Sequence, residues 1–454
     1  MLTDSRRHEG FEVTPAAAEA RTEATPVERS RDGHERSRKG RATFAALAVP
    51  NFRIYAMGQA FANTGVWVQN IALDWLVLEL THSPAAVGIT MALQFLPILL
   101  FGMYGGMIAD RYSKRNILLI TQVCSAAVAL TLAVLTLTGN ITVGAIYVLA
   151  VAGGLVVALD NPTRQAFVGE VVPAQYLRNA ISLNAAVFQT TRLVGPAVSS
   201  LLIGTVGTGW AFAVNALLYV GPTITLSLMR TDELVRGTPL PRAKGQLRSA
   251  LRYVADRPHV GWTIALVGVF GTFGLNFPVV LTAMASETFH AGAGMYGTFN
   301  IVLAVGSSAG ALFAGGREHS RLRLILVLAA AFGVSQTLAA LAPNLGTFMV
   351  VLVAMGVTNL AFQAIANSSV QLWVDAEFRG RVMGLYVLVF MGGTPIGGPI
   401  IGWITEHHGV RTGMAVCGIV PLTCALLLAA GLALQPVLAR RRATQATHAV
   451  LAAH

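Results

Sequence analysis

Long uncharged apolar stretches alternate with short polar ones along this chain. Apolar runs cover about 54–79, 84–109, 116–138, 141–160, 180–206, 209–229, 259–285, 294–316, 322–342, 345–370, 382–406 and 412–436. Runs of this length cross a hydrocarbon core of about 30 Å as helices. The pattern therefore predicts an all-α membrane protein of about twelve transmembrane helices. The polar breaks are unequal. Alternate breaks carry Asp110 to Arg115, Arg164 to Arg178, Arg230 to Arg257, Arg317 to Arg323, Asp375 to Arg381 and the run Arg440-Arg441-Arg442. The others carry only Glu79, His82, Glu287, His290, Glu406, His407, His408 and Arg411. An excess of Arg and Lys marks the cytoplasmic side, and an even number of spans places both termini there.

Within the first span, Gln59, Asn63, Asn70 and Asp74 follow one another at four, seven and four residues, which confines them to a sector of roughly 60° on a helix. A polar seam facing lipid would leave donors and acceptors unpaired, so it faces a cavity or other helices. Asn359, Gln363 and Asn367 make a similar seam in the tenth span. Asp74 and Arg192 are the ionisable groups well inside the predicted spans, and such residues are functional candidates. Asp74 is a candidate to take up and release a proton, the alternative being a wet, permanently ionised carboxylate at the outer end of a cavity. Arg192 is a candidate to bind an anionic substrate or to hold Asp74 or Asp160. Gly195-Pro196 and the run Gly392 to Gly402, with Gly397, Gly398 and Pro399, suit close helix packing and bending. Phe270, Phe273 and Phe277 form a stripe that is expected to face core or lipid more than a pocket.

Composition narrows the class. Of 454 residues 54% are hydrophobic and 12% charged, with a mean hydropathy of +0.62, which excludes an ordinary soluble domain. The net charge of +11 is spread over short clusters between apolar runs, so topology explains it and a nucleic-acid partner is not implied. Cys124, Cys417 and Cys424 lie inside apolar runs, and no metal-ligand spacing occurs, so neither a disulfide framework nor a cofactor is expected. None of Lys39, Lys114 and Lys244 follows a glycine and there is no His-Glu-x-x-His; P-loop hydrolysis and zinc proteolysis are excluded, and the chain is not expected to be an enzyme. Residues 1–45 have the composition of a disordered basic tail without a cleavable signal, and Arg36 to Arg41 are placed to hold the N-terminus inside and touch anionic lipid. The longest break, 231–257, contains Pro239, Pro241 and a basic amphipathic piece, Gln246 to Val254. It is the expected linker between six-helix bundles at 46–230 and 258–438, with a cytoplasmic tail at 439–454.

The loop after the second span reads Gly105-Gly-Met-Ile-Ala-Asp-Arg-Tyr-Ser-Lys-Arg115. Its Gly106, Asp110, Arg111, Lys114 and Arg115 resemble the signature loop of the major facilitator superfamily, with Ser113 where that family usually has Gly. The two halves also echo each other: Phe188 and Gly195-Pro196 recur as Phe390 and Gly398-Pro399. Parallel six-helix pseudo-repeats are the architecture of that superfamily. Four further stretches, Asn51-Phe-Arg-Ile-Tyr-Ala-Met-Gly-Gln59, Asp74-Trp-Leu-Val-Leu-Glu-Leu-Thr81, Leu93-Gln-Phe-Leu-Pro97 and Asp160-Asn-Pro-Thr-Arg-Gln-Ala-Phe167, resemble its drug:proton antiporter branch, which includes bacterial siderophore and macrolide exporters. The fifth span matches the antiporter motif in part, with Ser199 and Ser200 where the motif has glycines.

The resemblance implies a multi-pass protein of the bacterial cytoplasmic membrane, monomeric among its lipids. It implies proton-coupled export of a small amphipathic molecule such as a drug, siderophore or other secondary metabolite. It also implies a latch in which Asp110 meets the start of the eleventh helix near Gly380 to Gly384; Arg111 and Arg115 then need an acid, and Asp160, at the inner end of the fourth span, is the nearest by topology. A facilitator or importer of the same fold, and a transport-inactive membrane sensor or interaction protein, remain open at this point.

Overall fold

The computed structural model describes residues 44–234, 246–315 and 321–452. The basic tail up to residue 43, Pro239, Pro241, Gly316 and Arg317 lie outside the described residues, and so do the side chains of Arg440, Arg441 and Arg442.

All the regular structure among these residues is helical. In order it comprises α1 (Pro50–Thr81), α2 (Pro84–Arg111), α3 (Lys114–Leu137), α4 (Val143–Val171), α5 (Leu177–Val206), α6 (Thr208–Leu218) and α7 (Val220–Leu228). After the linker come α8 (Gln246–Ala255), α9 (Pro258–Val269), α10 (Phe277–Ala283), α11 (Ala293–Gly315), α12 (Leu322–Ala340), α13 (Leu345–Trp373), α14 (Ala376–Gly392), α15 (Thr394–His408) and α16 (Val410–Ala452).

The sequence marks these ends locally. Ser83, Thr142 and Asn344 cap α2, α4 and α13 by accepting from the backbone N–H three residues on, at 3.2, 3.2 and 2.9 Å, which satisfies donors that the first helical turn leaves unpaired. Between α1 and α2, His82 takes a left-handed conformation (φ 49°) ahead of Pro84. Proline at the first helical position and a left-handed residue just past the last one reverse the chain in two residues.

Among the described residues, eleven helical stretches are long and apolar enough to cross a membrane. α1 is not among them, although at 32 residues it is the length of its neighbours. Its seam of Gln59, Asn63, Gln69, Asn70 and Asp74 dilutes its hydropathy, so the expected twelve resolve into eleven apolar spans and one polar helix. The seventh span is not one helix: π-helical turns at Phe270–Gly274 and Met284–Thr288 flank α10. The Phe270 stripe is core. Phe270 is fully buried, with ring centroids 4.4 Å from Phe332 and 4.3 Å from Phe362.

A larger departure concerns α4. The expected span ends on Asp160, before the ring of Pro162 and the charge of Arg164. The helix runs on to Val171 with Pro162 inside it. Asp160 and Arg164 are one turn apart and neutralise each other, so neither forces the helix to end, and prolines are tolerated inside membrane helices whose neighbours re-satisfy the freed backbone groups. The tail after 438 likewise continues α16 as helix to Ala452.

The helices up to α7 form one set by packing of α1 on α5, α2 on α4 and α3 on α6; those from α9 on form another, with α11 on α13 and α12 on α16. The sets meet through α2 against α15 and α5 against α11. The amphipathic α8 lies on the second set. Its Tyr253 ring stacks on Phe378 at 4.5 Å, and its hydroxyl donates to Asp375 Oδ2 at 3.0 Å. Arg257 reaches the same oxygen at 2.9 Å.

Candidate functional site

A cavity of about 1140 Å³ lies between the two sets of helices. From α1 it is lined by Gln59, Asn63, Gln69 and Asn70, and from α2 by Gln94. Ser125 and Tyr219 face it, and α4 adds Asp160, Asn161, Arg164 and Gln165. Asn184 and Gln189 line it from α5. The opposite wall is built of Ala311, Ala314 and Gly315 of α11, Leu360, Ala364 and Ser368 of α13, and Met391 of α14.

The charged members of this lining are a pair. Arg164 donates from Nη2 and Nε to Asp160 Oδ2 at 2.6 and 2.8 Å. Thr121 and Gln122 donate to the other carboxylate oxygen at 2.7 and 3.0 Å. A further Arg164 nitrogen donates to Gln59 Oε1. The low polarity of the surroundings makes an unpaired charge there costly, so the pair is held by hydrogen bonds on nearly every lone pair. Local sequence places it: residues four apart share a helix face.

The cavity extends from Ile181, near the start of α5, and Gly315, the last residue of α11, to Leu73 of α1. Beyond Leu73 the two sets close on each other. Asp74 is 6% exposed, and its Oδ2 accepts a 2.8 Å hydrogen bond from the hydroxyl of Tyr296 on α11. It is neither wet nor part of the cavity lining. Further out, Ser83 Oγ donates to Glu406 Oε2, and the Ala85 N–H donates to the same oxygen at 3.3 Å.

Between these two contacts α2 and α15 approach backbone to backbone. A Cβ on Gly398 would lie 2.7 Å from the carbonyl oxygen of Gly88, and one on Gly88 would collide with the carbonyl of Gly398, beside the nitrogen of Pro399. Gly397 sits more tightly still on the carbonyl of Thr272, within the second set. On α5 and α11, Gly297 packs on Ser200, whose hydroxyl donates to the Pro196 carbonyl at 2.7 Å, and Gly195 packs on Trp67. Arg192 pairs with neither Asp74 nor Asp160; its guanidinium stands 6.0 Å over the Trp67 ring.

The opposite end, which carries the Gly105–Arg115 loop, is arranged differently. Gly106 is buried in α2, while Asp110 and Arg111 are exposed at its end. Lys114 pairs with Glu170 at 2.6 Å, and Arg115 donates to the carbonyls of Leu226 and Ser227 at 2.7 and 3.0 Å. Asp160 is therefore taken by Arg164 instead of by the loop arginines. Gly380 and Gly384, the expected partners of Asp110, face open space, with no atom within 4 Å of a Cβ at either.

Of the residues expected in the cavity, Gln59, Asn63 and Asn70 line it, and Arg192, Asn359, Gln363 and Asn367 do not. The tenth-span seam is engaged by protein, since Gln363 donates to Asn359 and Gln371 to Asn367, both at 2.6 Å, and Asn367 also bonds with the hydroxyl of Tyr386 on α14. Leu360, Ala364 and Ser368 face the cavity instead, one position round from the seam. Sequence reasoning missed Arg164, because it was placed in a loop. It also missed Gln94, Asn184 and Gln189, single amides in otherwise ordinary helices; the signal available for them was an uncharged polar residue in the middle of a span.

Comparison with known proteins identifies the architecture. The model of the transmembrane secretion effector family matches residues 41–451. The chain is 24% identical over 357 residues to the enterobactin exporter EntS of Escherichia coli, covering 78% of this chain and 85% of that protein. It is 30% identical over 156 residues to the staphyloferrin A transporter of Staphylococcus aureus, covering 34% and 39% respectively. Among solved structures, a bacterial homolog of the human lysosomal transporter Spinster, in an inward-facing and unoccupied conformation, superposes with a TM-score of 0.64 at 14% identity, over 85% of this chain and 96% of that one. A D-xylose-proton symporter gives 0.63 at 14% identity, over 82% and 96%. The chain belongs to the transmembrane secretion effector family of the major facilitator superfamily. It is a multi-pass membrane transporter of a small molecule, not an enzyme.

Proposed function

We propose that this secondary transporter exports a small amphipathic molecule of the siderophore or drug-like secondary-metabolite kind from the bacterial cytoplasm, by alternating access coupled to protons. The observation that carries the reading is the asymmetry of the cavity: it reaches the end of the molecule that bears the basic loops, and it stops below the Asp74–Tyr296 bond. With the basic end in the cytoplasm, this is the state that loads substrate from inside. The enterobactin and staphyloferrin A names of its relatives support the substrate class, and the name of the enterobactin exporter supports the direction.

In this reading the helices of 46–230 and 258–438 are the two rocking bodies, joined by 231–257, and both termini are cytoplasmic. Gln59, Asn63 and Asn70 contact substrate. Asp74 is the proton carrier. Ionised, it accepts from Tyr296 and keeps the outer end shut; once protonated it is a weaker acceptor for that hydroxyl, so protonation favours separation. The loop of Gly106, Asp110, Arg111, Lys114 and Arg115 is a latch for the opposite state, and Gly195, Pro196, Gly397, Gly398 and Pro399 are its packing surfaces in this one.

Purified protein in proteoliposomes, loaded with an extract of the producing cells' secreted metabolites and given an imposed proton gradient, tests the reading. Efflux is expected with the gradient and at least about tenfold less without it. Asp74→Asn is expected to insert normally and to lose the gradient dependence. Efflux indifferent to the gradient in the native protein would make it a facilitator, and unchanged coupling in Asp74→Asn would remove Asp74 from the mechanism.

A further inference from the structure

The two walls of the cavity have different chemistry, and the difference names the kind of molecule that fits between them. Of the polar side chains in the lining, only Ser368 comes from the helices after the linker. The N-terminal wall presents nine carboxamides. Two of these are occupied by the protein, Gln59 by Arg164 and Gln69 by the Asn215 amide at 2.6 Å. The other seven, among them Asn63, Asn70, Gln94, Asn184 and Gln189, make no hydrogen bond to protein among the described residues. Each carries a donor and an acceptor, and each faces a cavity that only water or a ligand can fill.

The charge of the lining is zero before any ligand arrives. Asp160 and Arg164 are its ionised members and they bind each other. A net-charged ligand would leave water without a counter-charge to meet it, which is strongly unfavourable. The C-terminal wall, with Ala311, Ala314, Leu360, Ala364 and Met391, offers dispersion and apolar burial, and its one polar side chain among the described residues, Ser368, already donates to the Ala364 carbonyl at 2.7 Å.

We propose that the cavity takes a molecule of no net charge that turns a hydroxyl-, phenol- or amide-rich edge to the carboxamides of α1, α2 and α5 and lays an apolar body on the alanine- and leucine-lined wall of α11 and α13. The proposal rests on the export reading only in taking this cavity as the substrate site. Carboxamides match groups that both donate and accept, whereas a carboxylate or phosphate offers only acceptors and a quaternary ammonium offers neither. Hydrogen-bonding recognition belongs to the N-terminal helices, which also carry apolar residues such as Ile98, Leu132 and Phe188, while the C-terminal helices offer apolar contact almost alone.

Three fluorescent coumarins that differ in their polar group test this with the full-length protein in lipid nanodiscs and no gradient: methylumbelliferyl glucoside, methylumbelliferyl phosphate and a coumarin bearing a trimethylammonium group. The glucoside is expected to bind about tenfold or more tightly than either charged probe, a difference of a few hydrogen bonds and one uncompensated charge. The double variant Asn63→Leu/Gln189→Leu is expected to weaken the glucoside by about tenfold, and Ala364→Trp to weaken all three by filling the apolar wall. The ranking in the native protein requires no variant to fold. Absent glucoside binding, equal or tighter binding of either charged coumarin, or an unchanged glucoside affinity in the double variant overturns the proposal. Failure of gradient-driven efflux with this ranking intact would remove the export reading and leave the cavity's chemistry standing.

Discussion

The two ends of the molecule are held by different physics. At the Ser83–Glu406 end the two sets of helices touch through glycine backbone and two hydrogen-bonded carboxylates, Asp74 with Tyr296 and Glu406 with Ser83 and Ala85. At the basic end the ion pairs Lys114–Glu170, Asp160–Arg164 and Arg257–Asp375 each stay within one set. These three pairs stiffen each body and do not join the two. A contact of close backbone and few hydrogen bonds forms or separates as a unit, because packed surfaces are bistable and do not deform continuously. The difference assigns motion to the interface and rigidity to the sets.

The largest effect is expected where the two sets meet backbone to backbone, since no side chain there can turn aside. Gly88→Val places two methyl groups where the Gly398 carbonyl now lies. Overpacking of this kind costs about 1–3 kcal/mol, a shift of roughly five- to 150-fold away from the state described. Spin labels at the ends of α2 and α15 should report a longer distance, and transport should fall at least about tenfold with insertion unchanged. An unaltered distance distribution would show that the glycine contact does not hold this end.

A smaller effect in the same direction is expected from Tyr296→Phe. The variant keeps the ring and removes the one hydroxyl that donates to Asp74. A buried acceptor left without its partner costs about 1–3 kcal/mol, and water that enters the opened interface recovers part of it. The same label pair should show a rise in the separated population of several-fold. If the variant behaves as wild type while Gly88→Val does not, the closed end depends on packing alone.

The comparison also shows what the sequence could carry. Helix positions, the charge bias and the seam of Gln59, Asn63 and Asn70 were legible because each is written within one helix, as run length or as a 3.6-residue period. The Asp74–Tyr296 bond joins residues 222 apart, and nothing local to Tyr296 distinguishes it from a membrane aromatic. Gly88 sits in an ordinary apolar run; its importance comes from the helix that arrives opposite it. The end of α4 is not legible from its charges, because Asp160 and Arg164 cancel each other within the helix and let it run on to Val171. Asn359, Gln363 and Asn367 mark a periodic seam as clear as that of α1, yet their amides are engaged by protein neighbours. Periodicity finds a polar face; it does not tell whether that face needs a cavity.

The smallest effect, opposite in sign, is expected at the basic end. Asp110 is exposed at the end of α2, and Gly380 and Gly384 near the start of α14 face open space, so the latch expected there is not the contact that maintains this state. A carboxylate at the N-terminal end of a helix is favoured by its dipole, and α14 presents such an end on the side that must close when the cavity opens outward. Asp110→Asn removes that attraction from the other state. The population should move toward the state described by a factor of about two to five, the range of an exposed charge at a helix end. Labels at the ends of α2 and α14 on the basic side measure it. A shift toward the closed basic end, or none while Gly88→Val still acts, would leave this loop with membrane topology as its role.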